Sequence, residues 1–258
     1  LAGEGAPVRR VRDIADKVEA DKGSDVFDQF RAGLAKKARG LFSPFKCVDA
    51  VEAAFTLPFA EGLKRERELF KECMESPQRA GLVHSFFAER EVSKVKGLAK
   101  DTPVREVKSV GIIGAGTMGG GIAMNFANVG IPATIVEVQQ EALDRGMAVI
   151  RRNYENSARK GKLTAEQVEE RMGLIKTSLS YDDFRDVDLV IEAVFENMAV
   201  KKEIFAKLDE VCKPGAILAS NTSTLDIDEI ASATKRPEDV VGMHFFSPAN
   251  VMKLLENV

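Results

Sequence analysis

The strongest constraint on the fold lies between residues 109 and 137, which read SVGIIGAGTMGGGIAMNFANVGIPATIVE. The apolar run at 110–113 is typical of a strand that is buried on both faces. Gly114, Gly116 and Gly119 follow at once, and the uncharged, proline-free stretch after them predicts a helix. A second strand is predicted over 133–136, directly before an acidic residue. The segment therefore predicts a strand, a glycine-rich turn, a helix and a parallel strand.

A dinucleotide-binding βαβ unit has this order of elements. Gly114 permits the tight turn, Gly116 lets the backbone approach a pyrophosphate, and Gly119 allows the helix to pack closely on the sheet. Thr117 and Met118 open the helix, whose free N–H groups and positive dipole end favour phosphate groups. The alternative interpretation is a glycine-rich turn that binds no ligand.

The acidic residue after the second strand indicates which dinucleotide would bind. Glu137 can accept hydrogen bonds from the adenosine ribose hydroxyls and would repel a ribose 2′-phosphate. Val138, Gln139 and Gln140 add no cation, and the first one is Arg145. The sequence therefore favours NAD over NADP.

Composition argues against several classes of protein. The 258 residues are 45% hydrophobic and 30% charged, and the net charge of −3 argues against nucleic acid as the main partner. No run approaches the roughly 18 apolar residues of a membrane span, and the N-terminal residues lack the apolar core of a signal peptide. Cys47, Cys73 and Cys212 are far apart, which favours a reducing, cytoplasmic location. With two histidines in the chain, no Cys/His metal site is expected.

The composition and the apolar periodicity of the chain change along its length. Residues 58–94 predict two amphipathic helices, the second capped by Ser76 with Pro77 in its first turn. Residues 94–105 have the composition of a linker. From Val107 onward, strands alternate with helices, which predicts an α/β fold with a Rossmann-like doubly wound sheet preceded by a helical linker segment. Further helices are expected over 139–160, from the capping box at 164–167, and over 197–211, and further strands over 187–194, 216–219, 240–244 and 251–255.

Four segments are predicted to meet beyond the carboxyl ends of the strands, where ligands of such a sheet bind. They are the glycine loop, VFEN at 194–197, SNTST at 220–224 and MHFFSP at 243–248. His244 is the acid/base candidate, because imidazole can accept a hydroxyl proton near neutral pH. Glu256 could orient it if the intervening chain bends back, and a structural histidine is the equal alternative.

The other polar residues of these segments also allow two interpretations. Ser223 could donate a hydrogen bond to a substrate oxygen, or the SNTST segment could be a turn or a cap for a helix over 226–231. Glu196 and Lys201 lie at the start of a predicted helix, and taken alone they favour an ordinary helix start with an exposed lysine.

Four motifs together resemble the 3-hydroxyacyl-CoA dehydrogenase family: VGIIGAGTMGGGIA, DLVIEAVFENMAVKKEIF, ILASNTSTLDI and GMHFFSPANVMKLLE. The resemblance runs from about residue 107 to residue 258. It implies NAD-dependent oxidation of L-3-hydroxyacyl-CoA to 3-ketoacyl-CoA in fatty-acid β-oxidation. It also implies that His244 and Glu256 form the catalytic dyad and that Ser223 contacts the substrate near the nicotinamide.

The same resemblance assigns the cofactor contacts. It implies that Glu137 binds the ribose and that Glu196 and Lys201 contact NAD. Ser247 stands where single-function members commonly have asparagine, and the variant HFFSPA is typical of the multifunctional branch.

The N-terminal part carries a second resemblance. Residues 43–104 are similar to the helical linker of multifunctional β-oxidation proteins, in which an enoyl-CoA hydratase/isomerase domain precedes the dehydrogenase. Residues 1–42 resemble the tail of that domain, and 105–258 the NAD-binding domain. Because the family continues into a further helical domain, we expect a middle segment of a larger protein. The resemblance implies an acyl-CoA substrate and a thiolase or a second copy as partner.

Two other functions stay open at this point. The chain could be a catalytically incomplete NAD-binding and linker segment. It could also be a Rossmann dehydrogenase that acts on another hydroxy acid, which the spacing of His244 and Glu256 disfavours.

Overall fold

The structure, a computed structural model, describes residues 10, 12, 14, 18, 19, 22–92, 94–99 and 101–258. It divides into two compact units, Leu1–Thr102 and Pro103–Val258. The predicted hydratase-like tail falls in part on residues outside the described ones. Helix α1 of this segment spans Val26–Lys37 and has no buried residue. For this reason the sequence shows no apolar periodicity that would predict the helix.

The remaining helices of the first unit follow closely on one another. They are α2 (Ser43–Thr56), α3 (Phe59–Glu75) and α4 (Pro77–Glu91). The two helices predicted between residues 58 and 94 are confirmed as α3 and α4. Ser76 caps α4, because its side chain accepts a hydrogen bond from the backbone N–H of Arg79 at 3.2 Å, and Pro77 occupies the first turn. None of the described helices is long and apolar enough to cross a lipid bilayer.

The second unit is built on one seven-stranded sheet of order β3-β2-β1-β4-β5-β6-β7. Strands β1 to β6 pair in parallel, and β7 pairs antiparallel with β6. The predicted α/β fold with a doubly wound, mostly parallel sheet is thereby confirmed. The strands are β1 (Val110–Ile113), β2 (Ala133–Val136), β3 (Ile175–Ser178), β4 (Leu189–Glu192), β5 (Ile217–Ser220), β6 (Val240–Phe245) and β7 (Leu255–Asn257).

The helices of this unit connect the strands and cover both faces of the sheet. They are α5 (Thr117–Asn128), α6 (Gln140–Arg159), α7 (Ala165–Gly173), α8 (Met198–Val211) and α9 (Ile227–Ala231), with short 3₁₀ turns at Tyr181–Phe184 and Pro237–Asp239. The predicted capping box is present at the start of α7, where Thr164 and Gln167 bond each other's backbone N–H groups.

Two apolar clusters form the core, one on each side of the sheet. Ile112 and Ile113 of β1 belong to different clusters, because successive side chains of a strand point to opposite faces. Ile112 packs with residues of α5 and α6, including Ile150, and Ile113 packs with residues of α8, including Phe205. The strand order reverses at β1, because β2 and β3 follow on one side of it and β4, β5 and β6 on the other. The turn after β1 therefore opens into a crevice at the carboxyl ends of the strands.

Two strand predictions differ from the structure. A strand was expected over 251–255, but β7 begins at Leu255. The N–H groups of Val251 and Met252 both donate to the carbonyl oxygen of Pro248, at 2.9 and 3.0 Å, so they close a turn and do not join the ladder. Strand β3 was not predicted at all. Among the described residues this edge strand pairs with β2 alone, and of its four residues only Ile175 is buried.

The close approach of α5 to the turn after β1 can be tested by substitution. We expect Gly119→Ala to lower the free energy of unfolding by about 1–3 kcal/mol, because the added Cβ would overlap the carbonyl oxygen of Gly114. Urea denaturation followed by circular dichroism measures the change. Gly173→Ala, in α7, is the matched control, since a Cβ there meets no atom within 4 Å. Equal stability of the two variants would contradict the close packing.

Candidate functional site

The turn after β1 has the backbone geometry that a pyrophosphate site needs. Gly114 has φ +102°, and a Cβ there would lie 2.8 Å from the carbonyl oxygen of Ala193, so the position requires glycine. Gly116 is the N-cap of α5, has φ −71°, and would carry a Cβ into open space. Thr117 and Met118 follow as the first residues of α5. The first N–H groups of α5, which have no partner within the helix, therefore lie beside open space and are candidate donors to a pyrophosphate.

The carboxylate of Glu137 lies beside this turn. Its Oε2 accepts a hydrogen bond from the backbone N–H of Ala115 at 3.2 Å, and its Oε1 accepts one from the N–H of Val138 at 2.8 Å. A cavity of about 330 Å³ is lined by the glycine turn, Glu137 and Arg145, among other residues. Glu137 therefore stands at the edge of a space that can accept a ribose.

His244, Glu256 and Ser223 come together at the carboxyl end of β6. The Nδ1 atom of His244 lies 2.8 Å from Oε2 of Glu256, and its Nε2 atom lies 3.1 Å from Oγ of Ser223. An ionised carboxylate can only accept, so Nδ1 carries the proton and Nε2 is the basic nitrogen. The ring of His244 also packs against that of Phe246, with centroids 4.8 Å apart.

Antiparallel pairing places Glu256 opposite His244, and helix α5 holds the bend between them. His244 and Glu256 are direct partners in the register of β6 and β7. The side-chain amide of Asn125 donates to the carbonyl oxygen of Ala249 at 2.9 Å, and a Cβ at Gly121 would lie 3.1 Å from the Cβ of Ala249. The chain between His244 and Glu256 therefore bends back, as the prediction of their contact assumed.

The SNTST segment combines a turn with a side chain that faces the histidine. Thr222 Oγ1 accepts a hydrogen bond from the N–H of Leu225 at 3.0 Å, while Asp226 caps α9. The segment is therefore a turn and not a helix cap, and Ser223 remains free to face His244. The neighbouring Asn221 accepts a hydrogen bond from the N–H of Phe245 at 2.9 Å, which joins this segment to the end of β6.

Glu196 holds the SNTST turn through its carboxylate. Its Oε1 accepts hydrogen bonds from the N–H groups of Ser223 and Thr224, at 2.9 and 3.3 Å, and from the hydroxyl of Thr222. Partial burial raises the pKa of Glu196, but these hydrogen bonds and the charge of Lys201 outweigh it, so that the pKa lies below its usual value.

Lys201 is buried, in contrast to the exposed lysine expected of an ordinary helix start. Only 1% of its side chain is exposed, and its Nζ lies 2.8 and 2.9 Å from the two carboxylate oxygens of Glu192, which is fully buried. Ser220 donates to Glu192 Oε2 at 2.7 Å. Sequence reasoning did not assign Glu192 or Ser220 to the site, although a carboxylate at the end of an otherwise apolar strand was a usable signal.

The fold and the glycine turn together define a Rossmann-like dinucleotide-binding domain, and comparison with known proteins identifies the family. The family described as "3-hydroxyacyl-CoA dehydrogenase, NAD binding domain" matches residues 109–258, more than half of the chain. The chain therefore belongs to the 3-hydroxyacyl-CoA dehydrogenase NAD-binding domain family, and its cofactor is NAD.

The individual relatives agree with this family. The chain is 46% identical over 237 residues to the peroxisomal bifunctional enzyme of Danio rerio, covering 90% of this chain and 32% of that protein. It is 41% identical to the peroxisomal fatty acid beta-oxidation multifunctional protein of Arabidopsis thaliana, covering 88% and 32%. The crystal structure of 3-hydroxybutyryl-CoA dehydrogenase from Escherichia coli K12 matches with a TM-score of 0.58 and 42% identity, covering 59% of this chain and 32% of that one. The chain thus spans about a third of the length of these curated relatives.

The expected cytoplasmic location is wrong. Several relatives carry names that place them in peroxisomes or glyoxysomes. The cytoplasmic location was inferred from cysteines that are too far apart to suggest a disulfide framework. Such a spacing does not discriminate between the cytosol and these organelles.

The open space at Gly116 gives a direct test of the cofactor site. We expect Gly116→Ala to weaken NADH binding by about tenfold, because the new Cβ would displace the pyrophosphate from at least one charge-assisted hydrogen bond. Fluorescence titration with NADH measures the affinity. The melting temperature should stay at the value of the unsubstituted chain, because the Cβ meets no atom within 4 Å. Unchanged affinity would place the pyrophosphate elsewhere.

Proposed function

We propose that the chain is the NAD-binding part of an enzyme that oxidises L-3-hydroxyacyl-CoA to 3-ketoacyl-CoA in fatty-acid β-oxidation. The observation that carries the proposal is the His244–Glu256 pair, at 2.8 Å, with Ser223 on the opposite ring nitrogen. Membership of the 3-hydroxyacyl-CoA dehydrogenase family and the names of the relatives support the substrate class.

His244 is the general base of the proposed reaction. Its Nε2 accepts the proton of the substrate 3-hydroxyl group, and the carboxylate of Glu256 stabilises the imidazolium that forms. When bound, NAD⁺ supplies the acceptor for the hydride that leaves the carbon bearing this hydroxyl group. Ser223 is a hydrogen-bonding partner for the substrate oxygen. Its hydroxyl lies on the Nε2 side of the His244 ring, which is the side that the substrate hydroxyl group must approach.

The cofactor contacts follow from the carboxyl edge of the sheet. Gly114, Gly116 and the first N–H groups of α5 would hold the pyrophosphate. Glu137 would bind the ribose hydroxyls, and its charge favours NAD over NADP. Glu196 and Ser223 are proposed to lie on the nicotinamide side.

The proposal also covers the N-terminal segments, the location and the partners of the protein. Residues 1–42 and 43–104 are proposed as a hydratase-like tail and a linker, as their resemblance implies. The names of the relatives support a peroxisomal or glyoxysomal location and an acyl-CoA substrate. A thiolase partner or self-association stays a prediction.

The activity is tested by following NADH absorbance with acetoacetyl-CoA. The assay is run on the 258-residue chain and on the complete product of its gene, with NADH binding measured in parallel. Turnover by either protein supports the proposal, and turnover by the chain alone shows that this part suffices. NADH binding without turnover by the complete product contradicts it.

Substitution of the base separates chemistry from binding. We expect His244→Gln to lower kcat by about 10²–10⁴-fold, because glutamine keeps the hydrogen bonds and cannot take the proton. The NADH affinity should change by less than about twofold, since His244 does not line the glycine turn. His84→Gln, on the exposed face of α4, is the matched control and should keep full activity. Equal turnover by the two variants would remove His244 from the mechanism.

A further inference from the structure

The least expected feature of the site is an ion pair that is almost completely buried. Glu192 is 0% exposed and Lys201 is 1% exposed. Removing two charges from water costs several kcal/mol for each ion, so such a pair contributes little net stability unless its geometry and remaining hydrogen bonds are good. Here they are good, because Glu192 also accepts hydrogen bonds from Ser220 Oγ and from the N–H of Val194, at 2.7 and 2.8 Å.

The ammonium group of Lys201 is fully engaged by protein carboxylates. A lysine has three N–H donors. Its Nζ contacts both oxygens of Glu192, at 2.8 and 2.9 Å, and Oε2 of Glu196, at 3.3 Å. These three contacts match the three protons, and only 1% of the side chain is exposed.

Glu196 connects the buried pair to the catalytic turn. Its Oε2 contacts Lys201, and its Oε1 accepts hydrogen bonds from the backbone N–H groups of Ser223 and Thr224. A second connection runs through Ser220, whose Oγ donates to Glu192 and accepts a hydrogen bond from the N–H of Thr222 at 3.3 Å. Both connections end in the backbone of residues 222–224.

We propose that Glu192 and Lys201 are positioning residues that hold this backbone, through Glu196 and Ser220, so that Ser223 Oγ meets Nε2 of His244. Lys201 then acts on the SNTST turn through the protein, whether or not it also contacts the cofactor. The kinetic consequence of this proposal rests on the proposed dehydrogenase function, whereas the structural consequence does not.

The structural consequence is visible in the histidine signals of the chain. The sequence has two histidines, so the imidazole ¹⁵N spectrum contains His244 and, as an internal control in the other unit, the exposed His84. Loss of the Ser223 hydrogen bond changes the shift of His244 Nε2. Ser223→Ala provides the reference spectrum for that loss.

The test variant replaces both charges by groups of similar size, Glu192→Gln with Lys201→Met, so that no unpaired buried charge remains. The matched control is Glu229→Gln with Lys202→Met. It removes an ion pair of 2.9 Å that involves the same helix, with Lys202 37% and Glu229 50% exposed, and no described hydrogen bond joins either side chain to residues 222–224. Ser220→Ala is the milder variant that decides the question if the double variant does not fold.

The expected result is that the double variant moves the His244 signal in the direction of the Ser223→Ala reference, while His84 and the control variant stay unchanged. Ser220→Ala should move the same signal in the same direction by less. The proposal is overturned if the folded double variant keeps the wild-type His244 signal, or if Ser223→Ala itself leaves that signal in place.

Kinetics on the complete gene product add a second readout. The double variant should lower kcat by about tenfold, as misplacement of a reacting group does, whereas Glu229→Gln with Lys202→Met should leave kcat unchanged. Unchanged kcat in the folded double variant would overturn the proposal, and a raised KM for NADH beside it would assign the pair to cofactor binding alone. If the unsubstituted protein shows no turnover, the proposed function fails, and the histidine spectra still decide the positioning role.

Discussion

The site depends on one turn of helix α5 that carries no side chains. Gly119, Gly120 and Gly121 are consecutive and buried in α5, although each glycine weakens a helix by about 1 kcal/mol relative to alanine. Each one lies close to a different element: the turn after β1, Ile150 of α6, and Ala249 in the bend after β6. The same turn of helix α5 therefore contacts both the cofactor turn and the bend that returns Glu256 to His244.

Much of the sheet could be predicted because its central strands are buried on both faces. β1 and β4 are apolar runs, and two of the helices, α8 after β4 and α7 before β3, begin at the caps Asn197 and Thr164. The edges were less accessible to sequence reasoning. β3 exposes Lys176 and Thr177, so it lacks an apolar pattern, and β7 begins later than expected because local hydrogen bonds close the preceding turn.

The candidate site was predictable where its chemistry resides in motifs, and less so where it resides in contacts between them. His244, Glu256 and Ser223 were expected to meet, and the structure brings them together. The pairing of Lys201 with Glu192 was not foreseen, because a lysine at a helix start normally faces water. Only the register of β4 with β5, which places Glu192 beside Ser220, shows that this carboxylate belongs to the network.

The two members of the proposed dyad belong to strands that are paired to different extents. β6 is paired on both sides, whereas β7 has three residues and pairs, among the described residues, with β6 alone. Segments with few buried contacts open at a lower free energy than the core strands of a sheet. We therefore expect Glu256 to separate from His244 more readily than β6 separates from β5. The pairing of Glu256 with His244 is thus the part of the site that depends most on the short strand β7.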